Sequence, residues 1–183
     1  VTEETRQVAV RDAHGFALID LVFVCGIIGV LSSIALPRLG VARQAAGVAS
    51  AIGSMRAINS AELTYAFSCG AGFYAPSLTT LGTPPLGTSE PFITKSLSVA
   101  DTVTKSGYTF QLTAAAYPGA PGTCNGLAIG AAGQGFRAGG DPAVAGNVRF
   151  FATNATNTII EDTSTLYATM PEYGLAPTGH PLH

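Results

Sequence analysis

Residues 16–36 form an apolar run with one charged side chain, Asp20, and Pro37 closes it. Wound as a helix at about 1.5 Å per residue, the run is roughly 31 Å long, enough to cross a bilayer. Such a segment has to be covered by lipid, by its own protein or by other copies of itself. Asp20 narrows the choice, because a carboxylate costs ~3 kcal/mol at the centre of a bilayer, less near its edge, and calls for an oppositely charged partner. Cys25, Gly29 and Ser33 recur at a spacing of four. That spacing gives one helix face a small-residue stripe on which a second helix can approach closely.

Upstream, residues 1–15 include Glu3, Glu4, Arg6, Arg11, Asp12 and His14, with no apolar core and no A-x-A site. The stretch is therefore not expected to act as a secretory signal peptide, in which the apolar region itself is discarded. With acids outnumbering arginines it supplies little positive-inside bias. Downstream, Pro37 predicts a kink or local unwinding. Val41, Ala45, Val48, Ile52 and Met55, then Ile58, Ala61 and Tyr65, recur at helical intervals. One face of this half is expected to lie on a head, with Arg43, Arg56 and Glu62 near water. Gly40, Gly47 and Gly53 lower helix propensity by up to ~1 kcal/mol each, so the helix depends on packing. Residues 16–67 would span about 78 Å if continuous, and the lower half has no predicted partner in its own chain.

Gly15-Phe16-Ala17-Leu18-Ile19-Asp20-Leu21, then Gly26-Ile27-Ile28-Gly29-Val30-Leu31, then Ile34-Ala35-Leu36-Pro37 resemble the amino-terminal segment of type IV pilins and pseudopilins. The resemblance covers about residues 15–66. It implies cleavage between Gly15 and Phe16 by a prepilin peptidase, N-methylation of Phe16, and a pilin fold. It also implies that Asp20 neutralises the Phe16 amine of a neighbouring subunit. The family usually has Glu at that place, one methylene longer than Asp20, so the reach of the ion pair differs here.

At 183 residues the chain suits an anchor plus one compact head. Nine basic and eleven acidic residues give a net charge of −2, which offers no bulk attraction to nucleic acid. Cys25 lies in the apolar run and reads as a small apolar residue. Cys69 and Cys124 fall in the head, which the resemblance to pilins places outside the cytoplasm, and are expected to pair, the alternative being two free thiols. Closing that loop constrains the unfolded chain by about 4 kcal/mol in the loop-entropy account.

The helix is expected to stop at Ser68-Cys69-Gly70. A long connection over residues 68–106 follows, with a helical turn after Pro76 and a short helix within 93–103. From Gly107 the period changes to two, and Tyr108, Phe110, Leu112 and Ala114 mark a half-buried strand. Further strands are expected at 126–131, 147–153 and 157–162, with a fifth at 165–169 and a hairpin turn at residues 154–157. This is an α+β architecture: one long helix, residues 16–67, on an antiparallel meander of about four strands within 107–170. The head as a whole is residues 68–183.

Catalytic signals are thin. The three histidines stand at 14, 180 and 183, the last two in an expected frayed tail, and none has a scaffold for a nucleophilic triad. Gly133-Gln134-Gly135 and Gly139-Gly140-Asp141-Pro142 read as flexible loop, not as a dinucleotide fingerprint. Glu161 and Asp162 should point to opposite faces of a strand, which suits neither a carboxylate pair nor an evident calcium loop. Asn154-Ala155-Thr156 fits a glycosylation sequon.

These readings lead to a structural subunit, not an enzyme, with no cofactor or metal. It would be processed after Gly15, held in the inner membrane by residues 16–36, and polymerised into a surface filament serving adhesion, motility or DNA uptake. Its partners would be itself or related pilins, the prepilin peptidase/methyltransferase and an assembly platform. A periplasmic pseudopilin of a type II secretion system is the alternative within the family. A membrane-tethered binding module that never polymerises is the alternative outside it.

Overall fold

A computed structural model describes residues 14–144 and 147–182. Helix α1 (His14–Ser68) is followed by α2 (Leu78–Leu81), a 3-10 turn (Lys95–Leu97) and strands β1 (Thr102–Lys105), β2 (Tyr108–Thr113), β3 (Arg137–Pro142), β4 (Phe150–Asn154), β5 (Ile160–Asp162) and β6 (His180–Pro181). The expected long helix with an antiparallel sheet is present, and the chain is α+β. The chain divides into two units between Arg43 and Gln44, so the second part of α1 belongs with the head.

In the first unit the helical assignment is unbroken through Pro37.

In the second unit the head crosses α1 in steps. The β1–β2 turn comes first, close enough that a Cβ added to Gly47 would lie 3.0 Å from the Ser106 carbonyl oxygen. Met55 faces Gly140 of β3. Asn59 then meets β4, its Oδ1 accepting from the Thr153 hydroxyl at 3.0 Å and its Nδ2 donating to the Asn157 carbonyl at 3.3 Å. Tyr65 sets its ring edge-on against Phe92 at 5.3 Å. The core between helix and sheet includes Met55, Ile58, Tyr65, Tyr108, Phe110 and Phe151. Its buried helical face starts at Val48; Val41 and Ala45, which spacing assigned to the same stripe, are exposed.

Among the described residues six strands form one antiparallel sheet in the order β1-β2-β3-β4-β5-β6, against the four expected. β2, β4 and β5 fall where alternation predicted strands. The short helix expected within 93–103 is present as the 3-10 turn Lys95–Leu97, and β1 takes up its last two residues, Thr102 and Val103; Ser106 and Gly107, with φ of 52° and 82°, form the two-residue turn that pairs Lys105 with Tyr108. β3 occupies residues read as flexible loop. Its glycines are packing sites, since a Cβ on Gly139 would lie 2.7 Å from Tyr167 and one on Gly140 3.1 Å from Phe110. Residues 126–131 form no strand; Ile129 and Gly130 make a turn, with Gly130 in the left-handed region. Residues 165–169 hold a turn closed by the Met170 amide on the Leu166 carbonyl at 2.8 Å. The expected frayed tail instead pairs as β6, with His180 opposite Glu161 and the Leu182 amide donating to Ile159; His183 lies outside the described residues.

Candidate membrane and assembly segment

Among the described side chains of the lower helix that the sequence singles out, Asp20, Cys25 and Ser33 are all exposed. Gly15 and Phe16 lie inside the helical assignment of α1, and the leader residues 1–13 lie outside the described ones. From Leu18 to Leu36 every side chain is exposed; Phe23 and Leu36 show 67% and 68% of their surface. This helix is the one element among the described residues long and apolar enough to cross a membrane, with a mean hydropathy of 2.4 in its richest window and none of that window buried. Asp20 is exposed, and the single ion pair among the described residues lies elsewhere, between Arg149 and Glu161. Cys25 is an exposed free thiol. A Cβ on Gly26 or Gly29 would meet nothing within 4 Å, so the chain's own packing gives no reason for either glycine. Ser33 turns its hydroxyl back onto the Val30 carbonyl at 2.7 Å, which satisfies its donor within the helix and leaves the stripe sterically small.

Around Gly26 a shallow apolar groove of about 490 Å³ is lined by Val22, Phe23, Ile27, Val30 and Leu31. Its lining carries no nucleophile, acid or base.

At the other end of α1 the head is fastened covalently. Cys69 and Cys124 are joined, with Cα atoms 4.9 Å apart, as expected. The bond ties the end of α1 to the connection between β2 and β3, and the Cys124 amide also donates to the Cys69 carbonyl at 3.3 Å. The helical turn after Pro76 is present as α2, capped by Ser77, whose hydroxyl accepts the Thr80 amide.

Three head residues were misjudged or missed from sequence. Glu62, placed near water, is fully buried, and its Oε2 accepts the Ala75 amide at 2.9 Å. Burial pushes its carboxyl well above the usual carboxylate range, and the Ala75 N–H offsets this only in part. A signal was present, because Glu62 follows Ile58 by four and precedes Tyr65 by three, on the buried face. Asn154, the sequon asparagine, is fully buried, and its Nδ2 donates to the Pro171 and Gly174 carbonyls at 2.9 and 2.8 Å. Its amide is occupied as a staple for the 171–174 segment and closed to a glycosyl donor. Arg149 pairs with Glu161 across β4 and β5; this hydrogen bond draws the Glu161 carboxyl below its ordinary value and raises the guanidinium.

The remaining sequence candidates do not converge. Asp162 accepts the Thr163 amide at 2.6 Å, and among the described residues no group of three His, Cys, Asp or Glu side chains comes together as a metal site. Compared with known proteins, the chain matches no family model, no curated protein and no solved structure.

Proposed function

We propose that this chain is a type IV pilin-like subunit with the pilin fold, cut between Gly15 and Phe16, methylated at Phe16, anchored in the inner membrane by residues 16–36 and then polymerised. The observation that carries the reading is the wholly exposed apolar stretch from Leu18 to Leu36 on the helix whose other end builds a closed core. An apolar surface of this extent needs lipid before assembly and like helices after it. Asp20 adds direction to that need. In a dry bundle its carboxylate requires a cation, and an amine freed at Phe16 of a neighbour is one that cleavage after Gly15 creates. Only subunits meeting in that register satisfy both charges. The work of such a subunit is assembly, not catalysis.

The test is mass spectrometry of the amino-terminal peptide from the membrane fraction and from material sheared off intact cells. A methylated Phe16 terminus in sheared material is the expected result. Processed protein confined to membranes favours a secretion pseudopilin, and an uncut leader in every fraction overturns the reading in favour of a plain tether. Asp20→Ala should abolish assembly while leaving membrane location and head stability unchanged.

A further inference from the structure

Glu62 is a fully buried carboxyl with a single hydrogen-bond donor. Its Oε2 takes the Ala75 amide at 2.9 Å, and Oε1 is buried with no hydrogen-bond partner. The titratable groups that face it are phenols: Tyr65, one turn further along α1, and Tyr74, next to Ala75, with the exposed Tyr173 near Tyr74. All described Lys, Arg and His side chains lie outside ion-pairing distance of it. A carboxylate there would have neither counter-ion nor water, so the neutral acid is the form that fits.

Ala75, the residue held by this carboxyl, directly follows a short turn that is fastened at both ends. Cys69 starts it at the disulfide. Tyr74 ends it in a two-way backbone pairing with Gly133, at 2.8 and 3.0 Å. Between them Ala71 and Gly72 are exposed and in the left-handed region, with φ of 49° and 94°. Moving the Ala75 amide off Oε2 breaks no hydrogen bond of the β1–β6 ladder, so a local opening here is a route by which a buried charge could be relieved.

We propose that Glu62 is a proton-operated latch that fastens the 70–75 turn to α1 while protonated and releases it on losing its proton. The direction follows from linkage. A carboxyl whose folded pKa is raised contributes stability that is complete below the ordinary carboxylate value and is lost as pH rises through the folded one. The latch therefore opens toward alkaline pH. The neutral isostere Glu62→Gln keeps an acceptor for Ala75 and has no proton to lose.

The test uses the full chain in detergent, with glutamate carboxyl carbons isotopically labelled so that Asp20 does not contribute to the infrared spectrum. The wild type should show a protonated-carboxyl band that E62Q lacks, and the band should persist above the pH at which exposed carboxyls have ionised. Hydrogen exchange of residues 70–76, compared between the two proteins at each pH, should give a wild-type to E62Q ratio rising about tenfold per pH unit until the band disappears. A wild type without the band, or a flat ratio, overturns the proposal. Should E62Q fail to fold, exchange of 70–76 relative to β2 within the wild type gives the same reading, a rise supporting the latch and a flat ratio overturning it. The protein is dispersed throughout, so the outcome does not depend on whether it polymerises.

Discussion

The two units of this chain solve opposite problems with similar residues. From Leu18 to Leu36, Leu, Ile, Val and Phe side chains stand exposed on a bare helix. From Val48 to Tyr65, on the same helix, Met55, Ile58 and Tyr65 are fully buried in the core of the head. Local helix propensity does not separate them. What differs is whether the rest of the chain supplies a covering surface. Hydrophobicity in the head is consumed by folding, and in the lower helix it remains available for association.

The largest expected contrast comes from deleting one aromatic ring in each unit. Phe110→Ala, in the fully buried core, should cost about 3–5 kcal/mol of head stability in urea unfolding. Phe23→Ala should leave that midpoint unchanged. Equal effects would show that the lower helix is covered by its own chain and would break the comparison.

Reduction of Cys69–Cys124 tests the covalent side of the same contrast. It should lower head stability by about 2–4 kcal/mol, read as a shift in the urea midpoint, with no change in how the protein partitions into membranes. The smallest effect belongs to Arg149–Glu161. Arg149 is well exposed and the pair is screened, so Arg149→Met should cost about 0–1 kcal/mol. Because Glu161 has a lowered folded pKa, the contribution is present above the ordinary carboxylate value and fades as pH falls through the folded one. Stability of wild type and variant should therefore converge in acid.

The long helix was legible because its period persists over many turns, and β2 because Tyr108, Phe110 and Leu112 alternate cleanly. The disulfide was legible from two cysteines left outside the apolar run. β3 was not, because Gly139 and Gly140 carry no strand propensity. They are required by Tyr167 and Phe110, residues far away in sequence. β1 was hidden by a turn of only two residues, Ser106 and Gly107, whose left-handed geometry was read as the start of the next strand. For the candidate assembly segment, the sequence marked the apolar run and offered it no partner within its own chain, and the exposure from Leu18 to Leu36 agrees with that. Glu62 was misplaced because its charge was given more weight than its position in the stripe.

The strand order of the sheet has a consequence for how the head comes into being. Neighbours in the sheet are neighbours in the chain throughout, from β1 to β6. A polypeptide that appears amino end first therefore never has to wait for a later strand to complete an earlier pairing. Each new strand finds its edge already in place, so few long loops must close within the sheet before contacts reward them. Such vectorial growth shortens the time that any open edge is available to a second chain. If the lower helix meets other copies as proposed above, keeping the head's edges out of that encounter confines association to the helix.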